Sequence, residues 1–535
     1  MKFLQVRPPL MLQAAVAVLL FATIASCVTL RQDVQVTPSY AFDHPEETSL
    51  GRAYLADQAS HPEQSGFRLI NGGVAALMTR AALADLAERA IDVQYYIYEP
   101  DAAGAFLLER LIAAAERGVR VRILLDDFGL GFEDVALARL VDAHPGIEIR
   151  IFNPFPLRAR WSRPLQLALQ LDRLGMRMHN KLFVADSQIA VVGGRNISNT
   201  YFEAEGESNF RDLDILASGP VVRDVAGHFD DYWNSPVAVP VAAFRVTPGE
   251  RAGRHELEEL HRFANDAHGP HAEYARRKAE FVKRLLTGMA DLIWARGESV
   301  SELPVRDSAG PAKSARPASE IGRTLASARN DARSEVVTVM AYYIPGKRGL
   351  EVVSGMTARG VRVRILTNSL ASTDVLAAHA GYSRYRPALL AAGIELHEYR
   401  ADAHRPAPKD QIMRAGSSDS ALHAKVRVYD RRIVWIGSAN SDPRSRRINT
   451  EAGVLIDSEI LAERFLKALE EDFSPQQSWR LTLEDGGSPG GAKQITWHGE
   501  QDGKPVRTQE EPGGGFRRAL SQLFYSIMPN IEDLL

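Results

Sequence analysis

Two short segments of this chain place a histidine and a lysine two positions apart, with an aspartate five positions beyond the lysine. The first is Met178-His179-Asn180-Lys181, running on to Asp186; the second is Leu422-His423-Ala424-Lys425, running on to Asp430. Each is followed by a glycine-led turn that ends in asparagine, Gly193-Gly194-Arg195-Asn196 and Gly437-Ser438-Ala439-Asn440. Histidine supplies a ring nitrogen that can attack or carry a proton near neutral pH, and lysine a compact cation with three donors. Residues two apart on a strand share a face, so each His-x-Lys pair can address one phosphate. The turn beyond it exposes backbone N–H groups and an asparagine amide, a cradle for phosphoryl oxygens. Asp186 and Asp430 fall at strand ends, where a turn-forming carboxylate and a chemically active one are equally at home.

Positioning two such sets requires two similar scaffolds, and the chain contains them. Arg117-Gly-Val-Arg-Val-Arg-Ile-Leu124 recurs letter for letter as Arg359 to Leu366, 242 positions on, and His423 lies 244 positions after His179. A Tyr-Tyr-Ile run precedes each copy, Tyr95 to Ile97 and Tyr342 to Ile344. Alternation and helical spacing predict a strand over Val93 to Tyr98, a helix over Ala103 to Glu116 and a strand over Val119 to Leu125, a βαβ unit. Further strands are expected at Ile189 to Val192 and Ile433 to Ile436. The fold class is therefore α/β, two duplicated domains with a mixed sheet flanked by helices, related by a pseudo-twofold axis. The expected organisation is domain 1 over 65–240, a helical insertion and linker over 241–320, domain 2 over 321–480 and a C-terminal tail over 481–535. Within the insertion, Tyr274, Phe281, Leu285 and Leu292 mark one helix face, opposite Arg276, Arg277, Lys278, Lys283 and Arg284. Ser301 to Ser319 reads as a linker. His255-Glu256 and His261 do not form a zinc motif, because histidines six apart on a helix point about 240° apart.

The 535 residues carry 64 Lys and Arg against 67 Asp and Glu, a net charge of −3, which gives no whole-chain attraction to a polyanion such as nucleic acid. The one cysteine excludes an intramolecular disulfide and a thiolate metal site. Lys2 and Arg7 precede an apolar stretch from Leu10 to Ile24 that ends at Ala25-Ser26-Cys27, the layout of a signal peptide over 1–26. Ile24-Ala-Ser-Cys27 also resembles the lipobox of bacterial lipoproteins, with Cys27 as the lipidated first mature residue and 27–64 as a tether and N-terminal segment. Arg158, Arg160, Trp161, Arg163, Leu165 and Leu169 could lie against a membrane or form an ordinary amphipathic surface.

At the paired motifs the chain resembles the phospholipase D superfamily, whose signature is two HKD motifs, each followed by Gly-Ser or Gly-Gly and an Asn. The resemblance spans about Gly66 to Phe473. It implies a phosphohistidine on one motif histidine, by the usual assignment His179, with His423 as general acid and base. Lys181, Lys425, Asn196 and Asn440, with the turn residues Gly194 and Ser438, would hold the phosphoryl oxygens; Asp186 and Asp430 complete the motifs. Carboxylates downstream of each Asn orient the histidines in that family. Asp212 and Glu451 match best, with Asp214 competing in the first half. No metal or other cofactor is implied. Within the superfamily the chain looks like bacterial cardiolipin synthases of lipoprotein-like layout, on Arg177 to Lys181, Phe210 to Asp214, Phe229 with Trp233-Asn234, and Met528 to Glu532. The implied reaction is transfer of a phosphatidyl group between phospholipids to form cardiolipin. Phospholipase D hydrolysis is the alternative and nuclease action a more distant one. The implied partners are phospholipids and a membrane surface, reached by a lipid anchor facing the periplasm of a Gram-negative bacterium, from the inner or outer membrane, with both half-sites in one monomeric chain and no nucleic acid.

Overall fold

The protein is described by a computed structural model. It covers residues 31–518 apart from 32, 131–134, 136–137, 139–140, 143, 158–161, 205–207, 245–257, 259–261, 263–268, 288–290, 305–318, 403–418, 486–492, 514 and 517, together with 523. The signal segment with Cys27, the Arg158, Arg160 and Trp161 stretch, His255, Glu256, His261 and the Met528 to Glu532 ending lie outside the described residues.

The chain forms α1 (Ser49–Ser60), β1 (Ser65–Ile70), α2 (Gly73–Leu86), β2 (Ala90–Tyr95), α3 (Ala102–Glu116), β3 (Arg120–Asp126) and β4 (Ile147–Phe152). There follow α4 (Arg163–Leu169), β5 (Leu182–Ala185), β6 (Ile189–Gly193), β7 (Ser208–Arg211), β8 (Asp214–Ser218), α5 (Pro220–Trp233), β9 (Ala238–Pro240) and α6 (Pro270–Thr287). The second half comprises β10 (Ile293–Ser301), α7 (Glu320–Asp331), β11 (Glu335–Met340), α8 (Gly346–Ala358), β12 (Arg362–Asn368), β13 (Glu395–Tyr399), β14 (Asp419–Leu422), β15 (Lys425–Tyr429) and β16 (Ile433–Gly437). It ends with α9 (Pro443–Arg447), β17 (Ala452–Asp457), α10 (Glu459–Glu470), β18 (Ser478–Glu484), β19 (Gln494–Gln501) and β20 (Lys504–Thr508).

Helices lie over a mixed sheet in which β2, β3 and β4 run parallel while β2 is antiparallel to β5, and β11, β12, β13 and β15 repeat that pattern. The verbatim repeat has a local cause. Gly118 and Gly360 adopt φ of 91° and 86°, ending α3 and α8 in a left-handed turn that a β-carbon would strain. The next residue, Val119 or Val361, donates back to Ala114 or Met356 and starts the strand.

Among the described residues the two halves join into one 18-stranded sheet. The seam is β1 against β10, antiparallel, with β8 beyond β1 and β17 beyond β10. β10 is thus the second half's counterpart of β1, inside the stretch expected to be insertion and linker. The end of that stretch is thus a strand of the second half's sheet, and Ser301 closes it rather than opening a linker. α6 packs Tyr274, Phe281 and Leu285 against the first half and leaves Arg276 and Lys278 exposed; Leu292 is buried beyond the helix rather than on its face. The expected tail at 481–535 holds most of a three-stranded antiparallel extension, β18 to β20, paired to β13. The Tyr-Tyr-Ile runs are not equivalent either. Tyr98 bridges Ile197 as Tyr343 bridges Ser441, so Tyr95 corresponds to Met340. Between the halves, α5 and α10 bury Val222, Phe229, Leu461 and Phe465 in one apolar core that both halves share.

Candidate active site

His179 and His423 sit just before β5 and β15, where each backbone is paired to the opposite half. His179 N–H donates to Thr450 O at 2.9 Å, and His423 N–H donates to Arg211 O at 2.8 Å. The parallel bridge Met178↔Thr450 and the parallel pair β14 with β7, in which Leu422 faces Arg211, fix these registers. The residue after each acceptor is therefore carried alongside the histidine. Glu451 Oε2 lies 2.8 Å from His179 Nδ1, and Asp212 Oδ2 lies 2.7 Å from His423 Nδ1. Each histidine is oriented by a carboxylate of the other half. An ionised carboxylate only accepts, so it fixes the proton on Nδ1 and leaves the Nε2 lone pair for chemistry.

Asp214, the competitor for Asp212, is already engaged: its Oδ2 lies 2.9 Å from Arg80 and 3.4 Å from Arg195. The turn residues differ for a reason of length. A β-carbon on Gly194 would stand 2.3 Å from Asp212 Oδ1 and 2.6 Å from Oδ2. At the equivalent place Ser438 donates its hydroxyl to Glu451 Oε2. The shorter acid is met by no side chain and the longer one by a hydroxyl.

Lys181 and Lys425 donate to the carbonyls of His179 and His423. Asn196 accepts from Ile97 N–H at 3.2 Å and donates to the Tyr201 hydroxyl at 2.8 Å, while Asn440 accepts from Tyr342 N–H at 3.4 Å. Both asparagines are thus anchored to the segments after β2 and β11. Asp186 and Asp430 stand apart. The Asp186 carboxylate accepts from the N–H groups of Glu88, Arg89 and Ala90, and that of Asp430 from Arg333, Ser334 and Glu335. Each opens a three-residue hairpin turn with φ near 50° at its first two positions, Asp186-Ser187 and Asp430-Arg431. They fasten the motif hairpin to the strand beside it, the turn-forming role expected of carboxylates at strand ends.

Burial sets the protonation states. It pulls His179 down to about 4 and His423 down to about 3, with the neighbouring lysines reinforcing the shift, so both imidazoles are neutral at pH 7. It also lowers Lys181 to about 7 and Lys425 to about 8. Against burial, His423 and Lys425 hold Asp212 down at about 2, and His179 and Lys181 hold Glu451 below its ordinary value.

Aromatic contacts that the motifs did not reveal distinguish the two histidines. Tyr96 meets His179 edge-on at 5.2 Å, whereas His423 lies against Tyr201 at 5.0 Å and Phe210 at 5.2 Å. The Tyr201 hydroxyl is 3.5 Å from His423 Nε2. The signal available in the sequence was position: Tyr201 follows Asn196 by five residues, where the second half has Ser445.

Two neutral imidazoles, each backed by a carboxylate, with two lysines and two asparagines around them, define a phosphodiester-handling enzyme of the two-histidine class on a duplicated α/β fold. A family model described as "Cardiolipin synthase, PLD-like domain" matches residues 81–233 and 324–474, and the chain belongs to that phospholipase D-like family. It is 37% identical to cardiolipin synthase C of Escherichia coli K12, over 91% of this chain and 99% of that protein. Cardiolipin synthase B of the same organism is 26% identical over 70% of this chain and 72% of its own length. Among solved structures, phosphatidylserine synthase of Haemophilus influenzae superposes with a TM-score of 0.52 at 12% identity, covering 80% of this chain and 92% of that one, a likeness of fold.

Proposed function

We propose that the protein is a transphosphatidylase that forms cardiolipin by moving a phosphatidyl group from one phospholipid to the hydroxyl of another. The observation that carries this reading is the crosswise pair of histidine–carboxylate contacts in a chain so similar to cardiolipin synthase C over nearly its whole length. The phosphodiester adds the negative charge that balances Lys181 and Lys425 and draws a proton onto His423 beside Asp212. His179 Nε2 attacks phosphorus, the bond from phosphorus to the leaving alcohol oxygen breaks, and His423 gives that oxygen its Nε2 proton. The acceptor hydroxyl then yields its proton to His423 as its oxygen attacks phosphorus, and the phosphorus–nitrogen bond breaks to restore His179. One phosphodiester replaces another, so no nucleotide is consumed. Lys181, Lys425, Asn196 and Asn440, with the turns at Gly194 and Ser438, hold the non-bridging oxygens.

The test is the purified full chain in mixed phospholipid vesicles containing phosphatidylglycerol, with products identified by mass. Cardiolipin with a released head-group alcohol supports the reading. Phosphatidic acid and free head group alone, at every acceptor concentration, would make the protein a hydrolase, and faster cleavage of DNA than of any lipid a nuclease.

The same reading places the chain on a membrane as a monomer with both half-sites in one polypeptide, anchored through a lipidated Cys27 and facing the periplasm. What supports it is the apolar stretch ending at Ile24-Ala-Ser-Cys27. No described helix is long and apolar enough to cross a membrane. Fatty-acid labelling that marks the wild-type chain and not Cys27→Ser supports the anchor, and equal labelling of both rejects it.

A further inference from the structure

The loops that follow β3 and β12 reach the two half-sites, Phe128 through Tyr96 to His179 and Asp374 through Tyr342 to Asn440, and exposed apolar side chains lie near both. In the first half these are Phe128, Leu165 and Leu169, which are 47%, 47% and 71% exposed. Leu165 and Leu169 lie on successive turns of α4 and share its outer face. Arg163 ties α4 to the loop by donating to Phe128 O at 2.9 Å and to Leu130 O, while its guanidinium covers Phe155 at 5.1 Å. Phe128 stacks on Tyr96 at 6.0 Å, and Tyr96 meets His179 at 5.2 Å. The apolar lip is thus two ring contacts from a reactive imidazole.

Several arginines stand along it. Arg444, bonded to Gly175 O at 2.7 Å, acts electrostatically on Tyr96, and Arg163 and Arg173 stand on the lip itself. Two acids of the loop, Asp126 and Asp127, are turned inward: Asp126 holds Met178 N–H and Asp127 holds Phe155 N–H, both buried. In the second half Val375 is 37% exposed, next to Asp374, whose carboxylate accepts from Tyr342 at 2.8 Å. Arg518 fastens the C-terminal segment to the same loop through Thr373 O at 2.8 Å, and Phe516, 86% exposed, is two residues away.

We propose that this lip seats on the surface of a bilayer containing anionic phospholipid, with Leu165, Leu169 and Phe128 entering the interface and the arginines at the level of the phosphates. Exposed apolar side chains rimmed by arginine match an apolar interior under anionic head groups. A lipid lifted from the layer then passes along Phe128 and Tyr96 to His179. The inference rests on the proposed lipid substrate and adds how that substrate is reached.

The experiment compares the wild-type full chain with L165S/L169S on two forms of one lipid. One is long-chain phosphatidylglycerol in phosphatidylcholine vesicles; the other is dihexanoyl phosphatidylglycerol below its micellar concentration. Loss of two interfacial leucines should lower vesicle turnover by ~10-fold or more and leave turnover of the dispersed lipid within about twofold. Vesicle turnover within about twofold of wild type, or an equal fall on both lipids, overturns the inference. Because the double variant could also suffer in folding, L169E and L169K supply a second arm. On anionic vesicles Glu should depress turnover several-fold more than Lys, and the gap should close in 1 M salt, where the screening length is about 3 Å. Equal effects of the two overturn the inference. Failure of the wild type on both lipid forms would instead remove the proposed function, and the docking inference with it.

Discussion

Asp212→Asn tests the crosswise arrangement most directly, because it removes one charge while keeping the side chain's shape. Asp212 is fully buried, and its Oδ2 is 2.7 Å from His423 Nδ1. When His423 becomes an imidazolium during the reaction, the pair gains a Coulombic attraction of about 4 kcal/mol at an effective dielectric of 20 and a charge separation near 4 Å. Losing it should lower kcat/KM by roughly 10³-fold, since each 1.36 kcal/mol is a factor of ten. Asparagine can also present its amide N–H to Nδ1, which turns the imidazole to the wrong tautomer and adds to the loss. The assay follows head-group release from phosphatidylglycerol at pH 7, and then from a phosphatidyl ester of p-nitrophenol, whose leaving oxygen needs no proton. If His423 is the general acid, the Asp212→Asn defect shrinks markedly on the activated ester, while a Glu451→Gln defect, acting through the nucleophile His179, persists. A double variant with His423→Ala should be no worse than His423→Ala alone, because the carboxylate works only through that ring. Retention of a third or more of wild-type activity, an equal defect on both esters, or multiplying losses in the double variant would refute the reasoning.

Gly194→Ser gives the first half the turn residue of the second, and its β-carbon lands on the Asp212 carboxylate, so activity should fall at least ~100-fold by the standards of a displaced catalytic group. Adding Asp212→Glu should recover part of that loss by restoring the hydroxyl–carboxylate geometry of Ser438 and Glu451; no recovery counts against the length argument. Asp186→Ala strips the acceptor from three backbone amides and should cost roughly 3 kcal/mol of stability, read as a lower thermal midpoint, with kcat/KM on folded protein within about fivefold. The lysines set the alkaline limit of activity. A lysine with a lowered value is charged below it and neutral above it, so kcat/KM should decline as pH rises through about 7 for Lys181 and about 8 for Lys425, and a flat profile to pH 9.5 would contradict it.

Much of the site was legible because its chemistry is local: the His-x-Lys pairs, the turns and the asparagines are short-range patterns that duplication doubled. The crosswise carboxylates were not legible in that way. Spacing along one half says nothing about which histidine a carboxylate reaches, and the choice between Asp212 and Asp214 is decided by Arg80, more than a hundred residues away. β10 escaped notice because its copy β1 is joined to the next helix by Asn71 and Gly72 alone, whereas the second half inserts residues 302–319 at that point. β18 has only a three-residue counterpart, β9, which pairs with β4 as β18 pairs with β13, and β19 and β20 have none among the described residues, so comparison of the halves could not find them. The Tyr-Tyr-Ile match misled by two residues, because tyrosine is frequent enough in such strands to align by chance where burial, not identity, is required.

The arrangement also explains why two similar halves remain in one chain while their sites diverge. Neither half holds a complete histidine–carboxylate pair, since Glu451 serves His179 and Asp212 serves His423, and the backbone bonds that His179 and His423 donate to Thr450 and Arg211 to set the register cross the same boundary. A shared core through α5 and α10 and the β1–β10 seam keep that boundary from shearing by the fraction of an ångström that hydrogen bonds near 2.8 Å demand. Once both half-sites belong to one polypeptide, they need not stay identical. Asp212 with Gly194 faces Glu451 with Ser438, Tyr96 edges His179, and Tyr201 stands at His423 where the other half has Ser445. A symmetric pair of histidines would have to share the roles of nucleophile and acid at random. These unequal surroundings give each ring a separate environment, and in a two-step transfer, where one nitrogen must hold phosphorus while the other moves a proton twice, that separation is what the chemistry requires.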